Sequence, residues 1–477
     1  MDRQNSPSDP NGFSDGSGQT NKTKRNRQIK IVVGVILAIV VLALTFFAGI
    51  MSAKLFYGDG LRSLLWFKDQ IESDYYQDID EEDFWQAAID GVETLLDPYS
   101  QYYTADEYDA IVNADQGIMD GTGLSFFSGT NTVVRVALNS PVFFAAKQAD
   151  ISIETGVSLT GIGGAQDALV NTFTAKAMQE ELAKYKSGDV VWLRFTDAGV
   201  QNEEQLVQAQ SATVAVQLST YIESYVLYAA QGKAWAYLYA QAGSGTWTDV
   251  SEYVSLDERA TGKTAVLRLI EFNAGAAQEF ERALEQFSSD GQENLLLDLR
   301  NNGGGSVLIF QKIAAHLLRT GSRNDVVMTA KYKNGMSVNY TVNESDFSRY
   351  FSGKKIYVAA NGNTASASEA LLGAMISYDT IAYEDIFLTD TAETEAKADG
   401  VARTYGKGIM QQFFYNSSLG AAVKLTTAQI FWPNGKTIHG KGITTQDGAR
   451  ASYAASNGEY GDPELTRILA SIDGAVA

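Results

Sequence analysis

The 477-residue chain has no cysteine, only two histidines and six prolines, and its 37 Lys and Arg are outnumbered by 57 Asp and Glu. Without cysteine there is no thiol nucleophile, no disulfide framework and no thiolate metal site. His316 and His439 are too few for a histidine-rich metal centre, and a Ser-His-Asp triad has to use one of them. A formal charge of −20 argues against a nucleic-acid partner, because phosphate contacts need clustered Lys and Arg. What remains is a folded protein, 45% hydrophobic and long enough for two or three domains.

The few basic groups are unevenly spread. Residues 1–30 hold six basic and three acidic side chains, and their first 21 positions, rich in Ser, Asp, Asn, Gly and Gln, predict a disordered tail. Lys22, Lys24, Arg25, Arg27 and Lys30 cluster just before Ile31–Met51, a run of 21 residues without a charge. At about 1.5 Å per residue a helix over this run reaches ~30 Å, one bilayer core. Positive charge on its N-terminal side places that end in the cytoplasm and the rest of the chain outside. A cleaved signal peptide is the alternative. An acidic ectodomain without cysteine needs no oxidising compartment, which suits a bacterial cell surface.

Beyond the apolar run, Trp85, Ala88, Ile89, Val92 and Leu96 form one helical stripe, stopped at Leu96-Asp97-Pro98 by the proline. Residues 115–198 change character, with Gly-rich turns, a β-branched run at Thr132–Val136, a helical stretch around Ala175–Lys184 and a strand at Val190–Phe195. Residues 200–256 show no clear period. From 262 onward strands and helices alternate. Thr264–Ile270, Asn294–Leu299 and Lys355–Ala360 read as strands, while Phe280, Ala283, Leu284 and Phe287, then Val307–Leu318, then Glu369–Ser377 read as helices. That order predicts an α/β core with right-handed crossovers and its chemistry at the strand ends.

Two turns at such ends carry candidate chemistry. In Asn361–Glu369 a serine at the mouth of a helix lies near free N–H groups able to stabilise an oxyanion. The competing reading is a helix cap, since Glu369 follows Ser366 by three residues as in a capping box. A serine nucleophile needs a base. With histidine nearly absent, a lysine whose pKa is lowered by burial is the remaining common choice. Lys407, between Gly406 and Gly408, is one of many lysines that fit on paper. Asn301–Gly305 offers backbone N–H groups to an anion or a carbonyl oxygen, or is a tight turn after a buried strand. It lacks the spacing of a dinucleotide fingerprint or a P-loop.

Five ordered segments together resemble the C-terminal processing peptidases, the tail-specific serine proteases of the S41 type. Leu95–Tyr102 (LLDPYSQY), Leu297–Gly305 (LDLRNNGGG), Thr364–Glu369 (TASASE), Gly406–Gln411 (GKGIMQ) and Trp432–Asp447 (WPNGKTIHGKGITTQD) match that family's blocks. The resemblance implies Ser366 as nucleophile, Lys407 as general base and Gln411 as its orienting partner. It implies an oxyanion hole from the N–H groups of Ala367 and of Gly304 or Gly305, with no metal and no cofactor. It also implies a PDZ domain at residues 113–198, where Gly121, Thr122, Gly123 and Leu124 would receive a substrate C-terminus; a spacer without a groove is the alternative.

Ser366 and Lys407 are 41 positions apart, wider than the family pattern. The excess predicts an acidic surface insertion around Glu384–Gly400, which also contains a rival base, Lys397. Gly303 stands where the family often has proline.

The expected architecture is α/β and multidomain. It comprises a disordered cytoplasmic tail (1–30), a transmembrane helix (31–51), an N-terminal helical segment (52–112), a PDZ-like β-rich module (113–198) and an S41-type catalytic domain of βα units (199–477). The expected function is a membrane-anchored, extracytoplasmic serine endopeptidase that cleaves protein substrates from their C-terminal tails through an acyl-enzyme. The resemblance is compatible with self-association. The alternatives are a non-catalytic peptide-binding ectodomain that kept the fold, and a scaffold for cell-wall or signalling partners.

Overall fold

The computed structural model describes residues 30, 33, 35–46, 58–127, 129–153, 156–197, 199–241, 243–253, 262–320, 324–389, 401–452 and 462–474. The chain divides into two units, Met1–Leu95 and Leu96–Ala477.

In the first unit, helix α1 (35–46) is followed by α2 (Asp59–Asp74) and α3 (Glu81–Glu93). The Asp80 side chain caps α3 by accepting from the Glu82 N–H, and Glu81, Glu82 and Asp83 complement the positive end of the helix. Trp85, Ala88, Ile89 and Val92 of the predicted apolar stripe lie on this helix; the first three are half-buried, Val92 is exposed, and none is fully buried. No helix among the described residues is long and apolar enough to cross a membrane. The expected 31–51 span lies partly outside the described residues; the uninterrupted part, α1, has exposed apolar side chains and at 1.5 Å per residue covers only ~18 Å.

The second unit begins with β1 (Gln101–Tyr103), α4 (Ala105–Asp115) and β2 (Ile118–Met119). A small β-rich body follows, containing β3 (Leu124–Phe126), β4 (Val133–Val136), α5 (Pro141–Gln148), β5 (Ser158–Gly163) and β6 (Val170–Asn171). It continues with α6 (Ala175–Leu182), β7 (Val190–Thr196), α7 (Glu203–Gln208) and β8 (Ser211–Gln217). Four strands form an antiparallel sheet in the order β6-β5-β7-β8, and β3 and β4 form a hairpin. Val133, Val142, Leu159, Ile162, Met178, Val191 and Leu193 share one core with Val214 and Val216 of β8. β8, which follows the expected boundary at 198, pairs with β7 and adds to this core.

The remainder comprises β9 (Tyr221–Ile222), β10 (Val226–Ala230), β11 (Lys233–Gln241), β12 (Ser244–Asp249), β13 (Thr264–Leu269), α8 (Ala276–Asp290) and β14 (Asn294–Asp298). After these come α9 (Val307–Leu317), β15 (Asp325–Tyr332), β16 (Ser337–Val342), α10 (Phe347–Phe351), β17 (Lys355–Asn361) and α11 (Ala367–Ser377). The chain closes with β18 (Ile386–Thr389), β19 (Ile409–Asn416), β20 (Ala421–Phe431), β21 (Arg450–Ser452) and α12 (Pro463–Asp473).

An eight-stranded sheet, β12-β11-β10-β13-β14-β17-β18-β21, organises this region. β13, β14, β17, β18 and β21 run parallel, and β10, β11 and β12 extend the sheet antiparallel. The alternating strands and helices predicted from 262 onward are present. Residues 200–256 gave no period because their strands include β10, buried along its whole length, and a strand covered on both faces does not alternate. The expected insertion is also corrected in part. Tyr383–Asp385 is a 3-10 turn and Ile386–Thr389 is β18, fully buried; residues 390–400, with Lys397, lie outside the described residues. A second sheet, β1-β20-β15-β16 with β19 paired to β20, carries the segment that follows Lys407.

Candidate active site

The parallel strands β14 and β17 lie side by side, with Leu297 opposite Val358, and both end in turns of small polar residues. Side chains sew the two turns together. The Asn301 N–H donates to Asn361 Oδ1 at 3.0 Å, and Asn361 and Asn363 each donate to Asn301 Oδ1 at 3.0 Å. The Ala365 N–H and the Ser368 hydroxyl donate to the Asn302 carbonyl at 3.0 and 3.1 Å. Thr364 Oγ1 donates to the Leu299 carbonyl at 2.8 Å. The glycine turn and the serine turn thus form one polar assembly at the strand ends.

Ser366 sits just before α11 with φ 56° and ψ −115°, a conformation costly for a residue with a side chain. The capping alternative is half fulfilled. The Ser366 N–H donates to Glu369 Oε2 at 3.2 Å, while the serine side chain makes no cap hydrogen bond. Gly304, with φ 107°, passes so close that a Cβ there would lie 2.7 Å from the Ser366 Cβ and 2.8 Å from the Ala367 nitrogen. Only glycine fits that approach.

The two expected oxyanion donors of the glycine turn differ. The Gly304 N–H is taken by Asn302 Oδ1 at 2.9 Å. Gly305 is bridged to Phe272 through its neighbours, with the Phe272 N–H donating to the Gly304 carbonyl and the Ser306 N–H to the Phe272 carbonyl, both at 2.8 Å. That parallel pattern turns the Gly305 N–H to the opposite side of the strand. Among the described residues neither it nor the Ala367 N–H has a hydrogen-bond partner.

Glu369 is the residue whose role sequence reasoning missed, having treated it only as a cap. Its buried carboxylate accepts from Thr404 Oγ1 at 2.6 Å and the Gly406 N–H at 2.8 Å through one oxygen. The other oxygen accepts from the Lys407 and Ser366 N–H groups at 2.8 and 3.2 Å. Burial pushes its pKa up against the pull of these four bonds. One carboxylate therefore fixes the backbones of both the serine and the lysine.

The Lys407 ammonium lies over the Tyr99 ring, 4.3 Å from its centroid, and Tyr99 donates its hydroxyl to Tyr405 at 2.7 Å. Burial lowers the Lys407 pKa and the nearby Lys424 lowers it further, while Asp97 and Glu369 hold it up. Among the described residues no hydrogen bond joins the Ser366 hydroxyl to Lys407; catalytic hydrogen bonds are often long in free enzymes and tighten when substrate binds. Gln411 donates to Thr426 Oγ1 at 2.9 Å rather than to the lysine, and Thr426 Oγ1 donates to Asp97 Oδ1 at 3.1 Å. Asp97 also accepts from the Tyr99 N–H and the Ser100 hydroxyl, at 2.9 and 3.0 Å. Although burial opposes it, these bonds hold the Asp97 pKa low. The LLDPYSQY segment thus builds the cradle of Lys407, a role its sequence match did not reveal.

The candidate peptide-binding loop lies elsewhere, at the start of the β-rich module. The Gly121 N–H donates to Asp120 Oδ1 at 3.0 Å and the Leu124 N–H to Thr122 Oγ1 at 3.2 Å. The Thr122 and Gly123 carbonyls accept from the Val142 and Ala137 N–H groups, and a Cβ on Gly123 would strike Ser140.

Residues 263–382 match the profile of Peptidase family S41. The chain is 25% identical over 389 residues to a Staphylococcus epidermidis protein named "Probable CtpA-like serine protease", covering 80% of this chain and 64% of that relative. A Staphylococcus aureus protein of the same name is also 25% identical, over 381 residues, 78% of this chain and 61% of the relative. The chain thus spans less than two thirds of the length of these curated relatives. Among solved structures, a Bacteroides fragilis protein described as "Putative S41 protease" superposes with a TM-score of 0.50 at 15% identity, covering 85% of this chain and 92% of that one. That likeness concerns the fold.

Proposed function

We propose that this chain, whose residues 263–382 match the profile of Peptidase family S41, is a membrane-anchored serine endopeptidase that works outside the cytoplasm. The observation that carries the reading is the buried Glu369 carboxylate, which accepts from the N–H groups of both Ser366 and Lys407. Nucleophile and base are thereby referred to one fixed point beside the glycine turn. The same order of motifs, and the named staphylococcal relatives, support a peptidase activity.

In this reading neutral Lys407 takes the Ser366 proton as Oγ attacks the scissile carbonyl. The tetrahedral oxyanion is met by the Ala367 and Gly305 N–H groups, since Gly304 already spends its own on Asn302. Lys407 then delivers the proton to the leaving amine, and water resolves the acyl-enzyme by the same route. Gln411 acts on Lys407 at one remove, through Thr426 and Asp97. The uncharged 31–51 run after a basic cluster supports a single-pass anchor with the N-terminus in the cytoplasm. The β-rich module's place before the catalytic region supports a PDZ-like peptide receptor, with Gly121–Leu124 receiving substrate C-termini and so directing cleavage to protein tails.

Casein or unfolded-peptide hydrolysis by residues 55–477, wild type beside Ser366→Ala, tests the reading. Activity present in the wild type and lost in the variant is the expected result. Equal turnover by both would remove the serine mechanism.

A further inference from the structure

The Arg300 guanidinium, 5% exposed, is clamped among three carboxylates. On one side Asp298 accepts from Nε at 2.8 Å and from Nη2 at 2.7 Å. On the other Asp462 accepts from Nη1 at 2.9 Å and from Nη2 at 2.6 Å, and Glu464 accepts from Nη1 at 3.3 Å. Arg268 reaches the same Asp298 at 3.8 Å. Arg300 is the residue immediately before the Asn301–Gly305 turn, so its side chain sets the point from which that turn departs. Asp298 lies two residues away on the same strand and cannot by itself fix the turn against anything outside it. Asp462 can, because it stands at the head of α12, far along the chain and beyond the family match.

Helix α12 is held at three places: at Arg300 through Asp462, along its apolar face and at its far end. Asp462 caps its first turn by accepting from the Leu465 N–H at 3.0 Å. Leu465, Ile468 and Leu469 pack against Val266, Leu296 and Ala359 of the parallel strands. At the far end Asp473 accepts from Thr264 Oγ1 at 2.5 Å and from the Lys263 N–H at 3.2 Å. The helix thus runs from the start of β13 to the end of β14. Two anchors hold it to the sheet, and the third holds Arg300.

We propose that α12 is a strap that positions the oxyanion-donating glycine turn, with Asp462 as the positioning residue acting through Arg300. The forked, two-sided geometry is one that only a guanidinium between carboxylates provides, and it fixes orientation as well as distance. The consequence is specific. Loss of the Asp462 contact leaves Ser366 and Lys407 on their own shared carboxylate and leaves the turn its bonds to Asn361, Asn363 and Phe272, but loosens the Arg300 end from which the turn departs. Such a change weakens transition-state stabilisation and leaves substrate binding nearly as it was.

The proposal rests on the peptidase reading for its kinetic consequence, and hydrogen exchange tests it without that reading. In the full chain, Asp462→Ala removes both cap and charge, Asp462→Asn keeps the cap and removes the charge, and Asp473→Asn loosens the opposite end of the helix without touching Arg300. Exchange at residues 303–306 is expected to quicken roughly ten-fold in both Asp462 variants and to stay at the wild-type rate in Asp473→Asn. On a peptide substrate kcat is expected to fall about ten-fold in the Asp462 variants with KM within about two-fold, a fraction of the loss seen when an oxyanion donor itself is removed. Unchanged exchange at the turn, or an equal effect from Asp473→Asn, overturns the strap. If the wild type shows no Ser366-dependent hydrolysis, the peptidase reading falls, and exchange alone decides the strap.

Discussion

The serine turn and the Gly121–Leu124 loop are both short stretches of small residues, and they are held in different ways. Around Ser366 the bonds come from far along the chain: Asn302 to Ala365 and Ser368, and Glu369 to Thr404, Gly406 and Lys407. Around Gly123 the side-chain bonds among the described residues are local, from Asp120 and Thr122, and two carbonyls reach α5 and the segment before it. Covalent chemistry needs reacting atoms fixed within fractions of an ångström, and a buried carboxylate with four donors supplies that. In the proposed role of receiving varied chain ends, the Gly121–Leu124 loop gains from fewer distant ties, because recognition tolerates adjustment that catalysis does not.

The sharpest way to break this comparison is to remove the proposed base. Lys407→Ala is expected to lower hydrolysis by about 10³-fold or more, whereas Lys397→Ala leaves it intact; loss of activity in the Lys397 variant would reassign the base. Next in size is Glu369→Gln. Donors face both oxygens of this carboxylate, so an amide turns its NH₂ toward two of them. Urea unfolding is expected to show a loss of about 1–3 kcal/mol, accompanied by a drop in turnover of at least ten-fold. Full activity and stability in that variant would mean that the shared carboxylate does not fix the dyad.

A subtler test concerns pH. As the proposed base, Lys407 acts only when neutral, so the rate is expected to rise with pH through its folded pKa, which burial and Lys424 hold below the usual ~10.4. Lys424→Ala removes a like charge, raises that pKa and is expected to move the rising limb of kcat/KM to higher pH. A limb that moves down instead would show that another group titrates there. The smallest effect belongs to the module. If Gly121–Leu124 receives a terminal carboxylate, amidating a peptide weakens its binding several-fold, and equal affinity of acid and amide would leave the loop as a spacer.

Much of the fold was legible because its information is local. Buried strands such as Leu295–Leu297 and amphipathic α8 announce themselves by composition and period. Ordered motifs nominated Ser366 and Lys407 without any geometry. The fully buried β10 and the β18 strand hidden in an acidic stretch left no such signal, since neither alternates and β18 spans only four residues. Glu369 looked like a cap because the i, i+3 spacing of a cap was the only contact its sequence position could express.

The sequence by itself determined the βα core, the order of its turns and the residue types available for chemistry; with no cysteine and two histidines, lysine was the remaining common base for a serine nucleophile. Only the tertiary structure decided which groups those residues meet. It placed the Lys407 ammonium over Tyr99, spent the Gly304 N–H on Asn302 while leaving that of Gly305 without a partner among the described residues, and brought Asp462 to Arg300 from 162 positions away. Periodicity encodes neighbours three or four residues apart on a helix and two apart on a strand. Contacts between distant segments are fixed only when the sheet has formed and its core has closed.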